Sequence, residues 1–374
     1  TAPARRARPA AAVATDEVGA RVGGAAASNG HIAWSTDAEC NGAAASDAER
    51  LLPGQRLKLS VPATSANMGP GFDSFGFALD LSNELIIERK GFGVDIIGQG
   101  ADSLPRDRSN AIVEAVAQGY AFATGGEDLP ADLHFTCVNN IPTARGLGSS
   151  SAALVSGLAA GLQLAGRDVS KPNVRRDLLQ LAADAEGHPD NVAPAIYGGF
   201  QIAINTGGEN PQWVTQGVKM PESLQAVLFI PEFESLTSET RAALPKEIPV
   251  ADAVFNISRA AMLVNSFATG NFETLRYACE DVLHQPVRGA DFPLYPMMEA
   301  ALKSGAHGCF LSGAGPTVLA LTGGHGSDVN ADTMVTYMAV ETAEAMRKEA
   351  LKDDLKGRVV IATPDLTGVV CKKI

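Results

Sequence analysis

One stretch of this sequence carries the clearest structural signal: Pro142-Thr143-Ala144-Arg145-Gly146-Leu147-Gly148-Ser149-Ser150-Ser151-Ala152. It follows a segment that alternates like a β-strand and opens a run rich in Ala and Leu, which is predicted to be a helix. Gly146 and Gly148 allow the backbone to approach an anion without an intervening Cβ, and the first amides of a helix lack an intrahelical acceptor. The stretch is therefore predicted to bind an anion.

This glycine loop lacks the Gly-Lys-Ser/Thr ending of a Walker A loop, so a phosphate would be neutralised by amides, hydroxyls and a metal ion. The hydroxyls of Ser149, Ser150 and Ser151 are suitable ligands for Mg²⁺ or phosphate. A Gly-Ser turn before a helix is nevertheless more often an ordinary cap. The choice between a cap and a phosphate site therefore depends on other segments.

Strand and helix patterns alternate on both sides of the glycine loop, without regular βαβ spacing and without an internal repeat. The predicted strands are 56–61, 85–88, 133–138, 200–205, 226–230, 359–361 and 368–371. The predicted helices are 110–123, 149–164, 174–185, 253–267, 272–282 and 333–352, with a Gly-rich strand and turn at 308–321. This mixture predicts an α+β architecture in two lobes divided near residue 200.

Composition excludes several classes of protein. The chain has 374 residues, of which 45% are hydrophobic and 19% charged, the balance of a globular enzyme. Its 42 acidic and 30 basic residues give a net charge of −12, which opposes general binding to nucleic acid or anionic membranes. No apolar run approaches the roughly 20 residues of a membrane span. The five cysteines are widely spaced and form no CxxC pair, which indicates buried or incidental thiols in a reducing compartment.

The first fifty residues differ from the rest because Ala, Gly, Ser, Arg and Pro dominate them. The first fifteen include Arg5, Arg6 and Arg8 but no acidic residue, as in an organelle transit peptide. Acidic residues from Asp16 onward favour the alternative of a disordered tail. Residues 1–50 are predicted to lie outside the fold, and the location is expected to be the plastid stroma in a photosynthetic organism and the cytoplasm otherwise.

Three more polar segments have the Gly and Pro punctuation of functional loops. They are Pro62-Ala63-Thr64-Ser65-Ala66-Asn67-Met68-Gly69-Pro70-Gly71-Phe72-Asp73, Glu186-Gly187-His188-Pro189-Asp190-Asn191 and Ser312-Gly313-Ala314-Gly315-Pro316-Thr317. The first follows a strand, the second ends a helix and the third is a turn between two apolar strands. Their order and content change the interpretation of the glycine loop.

With the glycine loop, these segments resemble the superfamily of galactokinase, homoserine kinase, mevalonate kinase and phosphomevalonate kinase (GHMP), and within it the homoserine kinase branch. The resemblance runs from about residue 56 to the C-terminus. It implies an N-terminal ATP-binding lobe (51–200) like ribosomal protein S5 and a C-terminal ferredoxin-like lobe (201–374). It implies phosphorylation of the side-chain hydroxyl of L-homoserine to O-phospho-L-homoserine in threonine biosynthesis, with ATP and Mg²⁺.

The resemblance and the chemistry of homoserine assign roles to the polar residues. Residues 142–152 would cradle ATP, with Gly313, Gly315 and Asn110 as further nucleotide contacts, although Asn110 fits an ordinary helix cap equally well. Glu186 would complete the Mg²⁺ site with Ser150 or Ser149. Asn67, Asp73, Asp190 and Asn191 would receive the substrate ammonium and hydroxyl, His188 would be a further substrate contact, and Arg241 and Arg288 would hold the carboxylate.

Catalytic roles are expected for Glu186, Ser150, Arg241 and Asp190, with no dedicated general base, because phosphoryl transfer depends mainly on positioning and charge neutralisation. Each arginine taken singly fits a surface arginine as well. The alternatives are another GHMP kinase, the ATP-dependent decarboxylase of the mevalonate pathway, or a non-catalytic sensor on the same fold. A homodimer is compatible with the sequence, which does not fix the oligomeric state.

Overall fold

The computed structural model describes residues 51, 54–221, 223–235, 237–324 and 329–374. The strands in this part of the chain are β1 (Arg56–Ala66), β2 (Phe75–Arg89), β3 (Gly93–Gly98), β4 (Leu133–Asn139), β5 (Phe200–Asn205), β6 (Trp213–Val218), β7 (Leu224–Pro231), β8 (Gly308–Leu311), β9 (Val318–Gly323), β10 (Gly357–Ala362) and β11 (Val370–Lys373). The helices are α1 (Ala111–Thr124), α2 (Ser149–Leu164), α3 (Pro172–Glu186), α4 (Val192–Tyr197), α5 (Thr237–Ala242), α6 (Val250–Thr269), α7 (Leu275–Ala278), α8 (Gln285–Arg288), α9 (Leu294–Lys303) and α10 (Val329–Lys352).

The first sheet has the order β11-β1-β2-β4-β3, and β5 joins it by pairing with the start of β2 and with β6. β1 and β2 pair along almost their whole lengths, with a register shift between Pro62 and Ala63. This shift lies where the polar segment 62–73 begins. The regular pairing of β1 with β2 is therefore interrupted where the alternating part of the strand gives way to the polar segment.

The buried face of the first sheet supports α2, which also packs against α1, α3 and α4. Glycines bring α1 and α2 into backbone contact. A Cβ on Gly161 would lie 2.3 Å from the carbonyl oxygen of Val116, and one on Gly119 would lie 2.3 Å from that of Leu158. These two glycines thus set the closeness of the helix pair.

The second sheet is antiparallel and has the order β10-β7-β9-β8, with α9 and α10 packed against it. Strands and helices follow one another as β7, helices, β8, β9, α10 and β10, which is the βαββαβ arrangement of a ferredoxin-like lobe. Its core includes Phe229, Leu311 and Met346, all essentially inaccessible to solvent. The predicted α+β class is confirmed.

Several sequence-based predictions of elements need correction. The helix expected over 272–282 is wrong, because only Leu275–Ala278 is helical and the chain then turns around the buried carboxylate of Asp281. β3, β6, α4, α5, α8 and α9 were not predicted. The first sheet also includes β5, β6 and β11, so the chain passes to the second sheet between β6 and β7 and returns to the first sheet after β10; the lobe boundary near residue 200 stays a prediction.

The predicted transit peptide at 1–50 lies outside the residues that the structure describes. Within the described ranges, every helix is too short or too polar to span a bilayer.

We expect Gly161→Ala to lower the free energy of unfolding by about 1–3 kcal/mol, because the new methyl group would force α1 and α2 apart despite the better helix propensity of Ala. Urea unfolding would measure the change. Gly217→Ala on β6 is the control, since its Cβ would meet only the side-chain amide of Gln201, at 3.3 Å; we expect a change within about 0.5 kcal/mol. A Gly161→Ala protein as stable as the parent would contradict this account.

Candidate active site

A cavity of about 850 Å³ lies where loops from both sheets meet. Most residues that the sequence singled out line it: Asn67, Asp73, Asn110, Pro142, Thr143, Ala144, Arg145, Gly146, Leu147, Gly148, Ser149, Ser150, Ser151, Glu186, His188, Asp190, Asn191, Arg241, Arg288 and Gly313. Two do not. Ala152 faces the core of α2, and Gly315 packs beside the side chain of Leu311 behind the turn.

The N-terminus of α2 opens into this cavity. Gly148 is its N-cap residue, in a left-handed conformation with φ of 66°, and no described side chain caps the helix. The first turn contains no acidic residue but has the three hydroxyls of Ser149, Ser150 and Ser151. Uncapped amides and the helix dipole both favour an anion at this end. The helix end is therefore suited to a phosphate group.

The two loop glycines are required by packing as well as by any ligand. A Cβ on Gly146 would lie 2.1 Å from the carbonyl oxygen of Ser312, and one on Gly148 would lie 1.9 Å from Oγ1 of Thr64. Both residues also have positive φ, which side chains tolerate poorly. The sequence analysis assigned these glycines to the approach of an anion; the structure adds that they let two other loops touch the glycine loop.

Hydrogen bonds join the glycine loop to its neighbours. The amide of Thr64 donates to the carbonyl of Leu147 at 3.1 Å, and its hydroxyl donates to Oδ1 of Asn191 at 2.8 Å. Ser312 Oγ donates to the carbonyl of Gly146 at 2.7 Å and lies 2.8 Å from Oγ of Ser65. All four segments found in the sequence therefore form one connected structure.

Asn67 links the segment 62–73 to the second glycine turn. Its Nδ2 donates to the carbonyl of Gly313 at 2.9 Å, and its Oδ1 accepts from the amide of Asp73 at 3.0 Å. Asn67, Met68 and Asp73 all have positive φ, a conformation that costs free energy for residues with a Cβ. The surrounding contacts hold a strained loop whose side chains face the cavity.

Glu186 ends α3 beside the first turn of α2. Its Oε2 accepts a hydrogen bond of 2.8 Å from Oγ of Ser151, and the sharing of Mg²⁺ with Ser150 or Ser149 stays a prediction. Helical spacing turns Ser151 inward toward α3 and leaves Ser150 exposed at the cavity. Burial raises the pKa of Glu186, against the opposing hydrogen bond from Ser151 and charge of His188. Such a carboxylate gains from a nearby cation.

The described residues contain no cluster of three or more His, Cys, Asp or Glu side chains able to cage a metal ion. The pairing of a carboxylate with hydroxyls is nevertheless suited to Mg²⁺, which commonly takes one or two carboxylates and completes its shell with water and ligand phosphates. The residues at the end of α3 and the start of α2 therefore fit this ion.

His188 and Asp190 form a second polar group at the cavity. Nδ1 of His188 lies 2.8 Å from Oδ1 of Asp190, whose side chain is almost fully buried. Burial lowers the pKa of His188, but the hydrogen bond and negative charge of Asp190 outweigh it, so the net pKa is raised. A raised pKa favours imidazolium, which donates hydrogen bonds and is a poor proton acceptor.

Asp73 and Arg241 form a two-point ion pair, with distances of 2.8 and 2.6 Å between the guanidinium nitrogens and carboxylate oxygens. The hydrogen bond to Asp73 is the main reason that the pKa of Arg241 is raised. The sequence analysis placed these residues at opposite ends of an amino acid. In this structure the two side chains form an ion pair with each other instead.

Arg288 lines the same cavity as this pair and is only 8% exposed. Its Nη1 donates to the carbonyl of Gly313 at 3.2 Å, whereas its Nε has no hydrogen-bond partner among the described residues. Burial, followed by the charge of Arg241, lowers the pKa of Arg288 to about 10. Both guanidinium groups flank the ring of Phe72, at 5.2 Å for Arg288 and 5.3 Å for Arg241.

Two residues of the sequence prediction have clear structural roles. Asn110 is the N-cap of α1, because its Oδ1 accepts from the amide of Ile112 at 3.0 Å and its Nδ2 donates to the carbonyl of Pro105 at 2.7 Å. Arg145 fastens the glycine loop to β7 through a 2.9 Å bond from Nε to the carbonyl of Pro231. Both line the cavity; ligand roles for them stay predictions.

Sequence reasoning missed Phe72, Ser235 and the buried residues behind the cavity. Phe72 lay inside a quoted motif, but a ring between two arginines becomes visible only in three dimensions. Ser235 lines the cavity from the segment between β7 and α5, where no motif marked it. Asp281 and His284 lie in a stretch that was predicted to be helical or was left unassigned.

Comparison with known proteins shows which family has this arrangement. The family model described as the N-terminal domain of GHMP kinases matches residues 110–199, and the model described as GHMP kinases C terminal matches residues 266–335. A homoserine kinase from Carboxydothermus hydrogenoformans is 41% identical over 264 residues, which cover 70% of this chain and 83% of that protein. One from Desulfitobacterium hafniense is 38% identical over 307 residues, covering 82% of this chain and all of that protein.

Solved structures of other proteins are also similar to this chain. The crystal structure of a homoserine kinase from Cytophaga hutchinsonii has a TM-score of 0.69 at 28% identity, covering 85% of this chain and 97% of that one. A mevalonate kinase structure has a TM-score of 0.58 at 12% identity, a likeness of fold alone.

We expect Arg288→Met to raise the free energy of unfolding of the ligand-free protein by about 1–4 kcal/mol, because it replaces a buried, incompletely bonded cation with an apolar side chain of similar length. Urea unfolding at pH 7 would measure the difference. Arg347→Met is the control, since Arg347 is an exposed partner of Glu344 on α10; its effect should stay within about 0.5 kcal/mol. Clear destabilisation by Arg288→Met would show instead that the arginine serves the fold.

Proposed function

This chain belongs to the homoserine kinases of the GHMP kinase family, and on that premise we propose that it transfers the γ-phosphoryl group of ATP to the side-chain hydroxyl of L-homoserine. The products are ADP and O-phospho-L-homoserine, an intermediate of threonine biosynthesis. The observation that carries the proposal is one cavity with two chemically different ends. An uncapped helix N-terminus forms one end, and the Asp73–Arg241 ion pair with Arg288 forms the other.

The anion-binding end suits the nucleotide. The glycine loop and the first amides of α2 offer donors to the phosphates, and the hydroxyls of Ser149 and Ser150 face the cavity beside them. Glu186 and its serine neighbours would hold Mg²⁺, which neutralises phosphate charge when bound. The raised pKa of Glu186 supports this assignment, because an uncompensated buried carboxylate is costly until a cation arrives.

The other end suits an amino acid. Asp73 can accept the ammonium group, and Arg241 and Arg288 can donate paired hydrogen bonds to the carboxylate. Substrate would then exchange one internal ion pair for two ion pairs with the ligand, so opposite charges stay matched. Asn67 and Asn191 supply neutral polar groups in the same cavity, and His188 and Asp190 also line it, with Nδ1 of His188 3.9 Å from Oε2 of Glu186.

The chain's contribution to the reaction is alignment. The hydroxyl oxygen of homoserine forms the new bond to the γ-phosphorus, the bond from that phosphorus to the bridging oxygen of ADP breaks, and the hydroxyl proton passes to a phosphoryl oxygen. We propose no dedicated general base, because the Nδ1 of His188 is engaged with Asp190 and its raised pKa favours the charged form. Asp190 therefore orients His188, and Ser150 and Arg241 bind and orient the reactants.

The rival functions fit less well. Mevalonate and its phosphates carry no ammonium group, so a kinase or decarboxylase for them would have no use for Asp73 beside two arginines. A non-catalytic sensor would not need a buried carboxylate at the nucleotide end, yet Glu186 is present and bonded to Ser151. These two observations favour homoserine as acceptor and catalysis as function.

Two finer assignments complete the proposal. The arginines and lack of acidic residues at 1–15 support a plastid transit peptide where the source is photosynthetic, with cytoplasm as the alternative. A homodimer is proposed as the assembly, since closed twofold dimers are the commonest oligomers of soluble enzymes.

The deciding experiment incubates the protein with ATP, Mg²⁺ and one acceptor, either homoserine, mevalonate or phosphomevalonate, and follows ADP release while mass spectrometry identifies the product. We expect ADP and O-phosphohomoserine in equal amounts with homoserine. Faster turnover of either mevalonate compound would refute the assignment.

Glu186→Gln tests whether the measured activity comes from this protein or from a contaminating enzyme. It keeps the size of the side chain and an oxygen that can accept from Ser151, but removes the charge needed for the metal. We expect at least a ~100-fold loss of turnover in a protein that unfolds as cooperatively as the parent. Unchanged turnover would mean that Glu186 does not hold the metal ion.

A further inference from the structure

The segment Cys279–Arg288 packs against the strained loop 67–73, and its buried residues are Cys279, Asp281, His284, Gln285 and Arg288. The backbone of Gly69 lies so close to it that a Cβ there would be 2.4 Å from the carbonyl oxygen of Cys279. The ring of Phe72 packs on the imidazole of His284, with centroids 5.5 Å apart. Loop and segment are therefore in direct contact on both their backbones and their side chains.

Asp281 organises this segment. Its buried carboxylate accepts from Nδ2 of Asn256 at 2.6 Å and from the amides of Leu283, His284 and Gln285 at 3.0, 2.9 and 2.7 Å. These donors are the first amides of the turn that becomes α8, so Asp281 acts as its cap. Arg288 lies at the end of this turn. The carboxylate thereby fixes the point from which Arg288 reaches the cavity.

His284 connects this turn to the loop. Its Nε2 lies 2.8 Å from the carbonyl oxygen of Gly69, and since a carbonyl only accepts, Nε2 carries the proton and donates. The ring is fully buried, and its Nδ1 has no hydrogen-bond partner in the described part of the chain. Burial lowers the pKa of His284, against the opposing charge of Asp281, so the neutral Nε2–H form is favoured.

The same loop and turn meet a second time at Gly313. The carbonyl oxygen of Gly313 accepts from Nδ2 of Asn67 at 2.9 Å and from Nη1 of Arg288 at 3.2 Å. Asn67 and Arg288 thus donate to the same carbonyl oxygen on the cavity side. On the buried side, the hydrogen bond from His284 to Gly69 joins the loop to the turn. Two points of attachment fix the spacing between them.

We propose that His284 and Asp281 are positioning residues for the amino acid substrate: their contacts set the distance between Arg288 and the loop that carries Asn67 and Asp73. Neither side chain lines the cavity. We expect their effect to fall on the amino acid end, because the side chain of His284 bonds to Gly69 and that of Asp281 to Asn256 and the turn before α8, whereas the glycine loop is bonded to Thr64 and Ser312. This inference rests on the proposed homoserine kinase activity.

The test compares His284→Leu with His284→Gln in steady-state kinetics against both substrates. Leu removes the donor to Gly69, whereas the amide of Gln restores a donor at similar reach. We expect His284→Leu to raise KM for homoserine about tenfold or more, with kcat and KM for ATP within about twofold of the parent. His284→Gln should recover most of the affinity for homoserine, to within about threefold of the parent.

His307→Leu is the matched control. Nε2 of His307 also lies 2.8 Å from a glycine carbonyl, that of Gly323, and its ring also packs on a phenylalanine, Phe272, at 5.5 Å. It lies in the same lobe but away from the cavity. We expect this change to affect stability and to leave both KM values at those of the parent.

Asn256→Ala keeps the test decisive if His284→Leu does not fold, since it removes one donor to Asp281 and leaves His284 in place. We expect a smaller rise in KM for homoserine, about threefold, without a change in KM for ATP.

Equal rises in both KM values, or a Gln variant no better than Leu, would overturn the proposal. If the parent protein fails to phosphorylate homoserine, the proposed function fails instead, so the two failures are distinguishable.

Discussion

The carboxamide of Asn67 makes the contact on which the arrangement of this site depends. It joins the second glycine turn to the loop that follows β1, with its nitrogen on Gly313 and its oxygen on the amide of Asp73. Because Asn67 is itself in a left-handed conformation, the loop would relax without these bonds. Through them, a turn of the second sheet and a loop of the first sheet face one cavity, and the charged side chains of both are placed within reach of one small ligand.

Charge in this protein is arranged locally rather than globally. The chain carries a net charge of −12, yet its cavity is lined by three arginines, Arg145, Arg241 and Arg288, and by an uncapped helix end. Asp73 balances Arg241 when no substrate is present, and Asp190 balances His188. Arg288 is the exception, a buried cation with an unused Nε and a lowered pKa. We expect this position to cost stability, which is typical of a residue retained for a ligand.

The sequence allowed the prediction of the fold class, the glycine loop and just over half of the residues that line the cavity, because these depend on local patterns and short motifs. The hydrogen bond between Ser151 and Glu186 could not be predicted, since it depends on the rotation of α2 against α3. The turn around Asp281 was mistaken for helix because its stabilising donors come from tertiary contact and not from periodicity. Contacts between distant segments are what sequence patterns leave undetermined.

The central claim is that Asp73 and Arg241, which pair with each other in this structure, bind the ammonium and the carboxylate of homoserine. A crystal structure with homoserine and a non-hydrolysable ATP analogue tests it most directly. We expect the carboxylate and guanidinium, now 2.6 Å apart at their closest atoms, to separate beyond the ~4 Å limit of an ion pair. The ammonium should then lie on Asp73 and the substrate carboxylate on Arg241. An intact Asp73–Arg241 pair in a complex that contains homoserine would contradict this account.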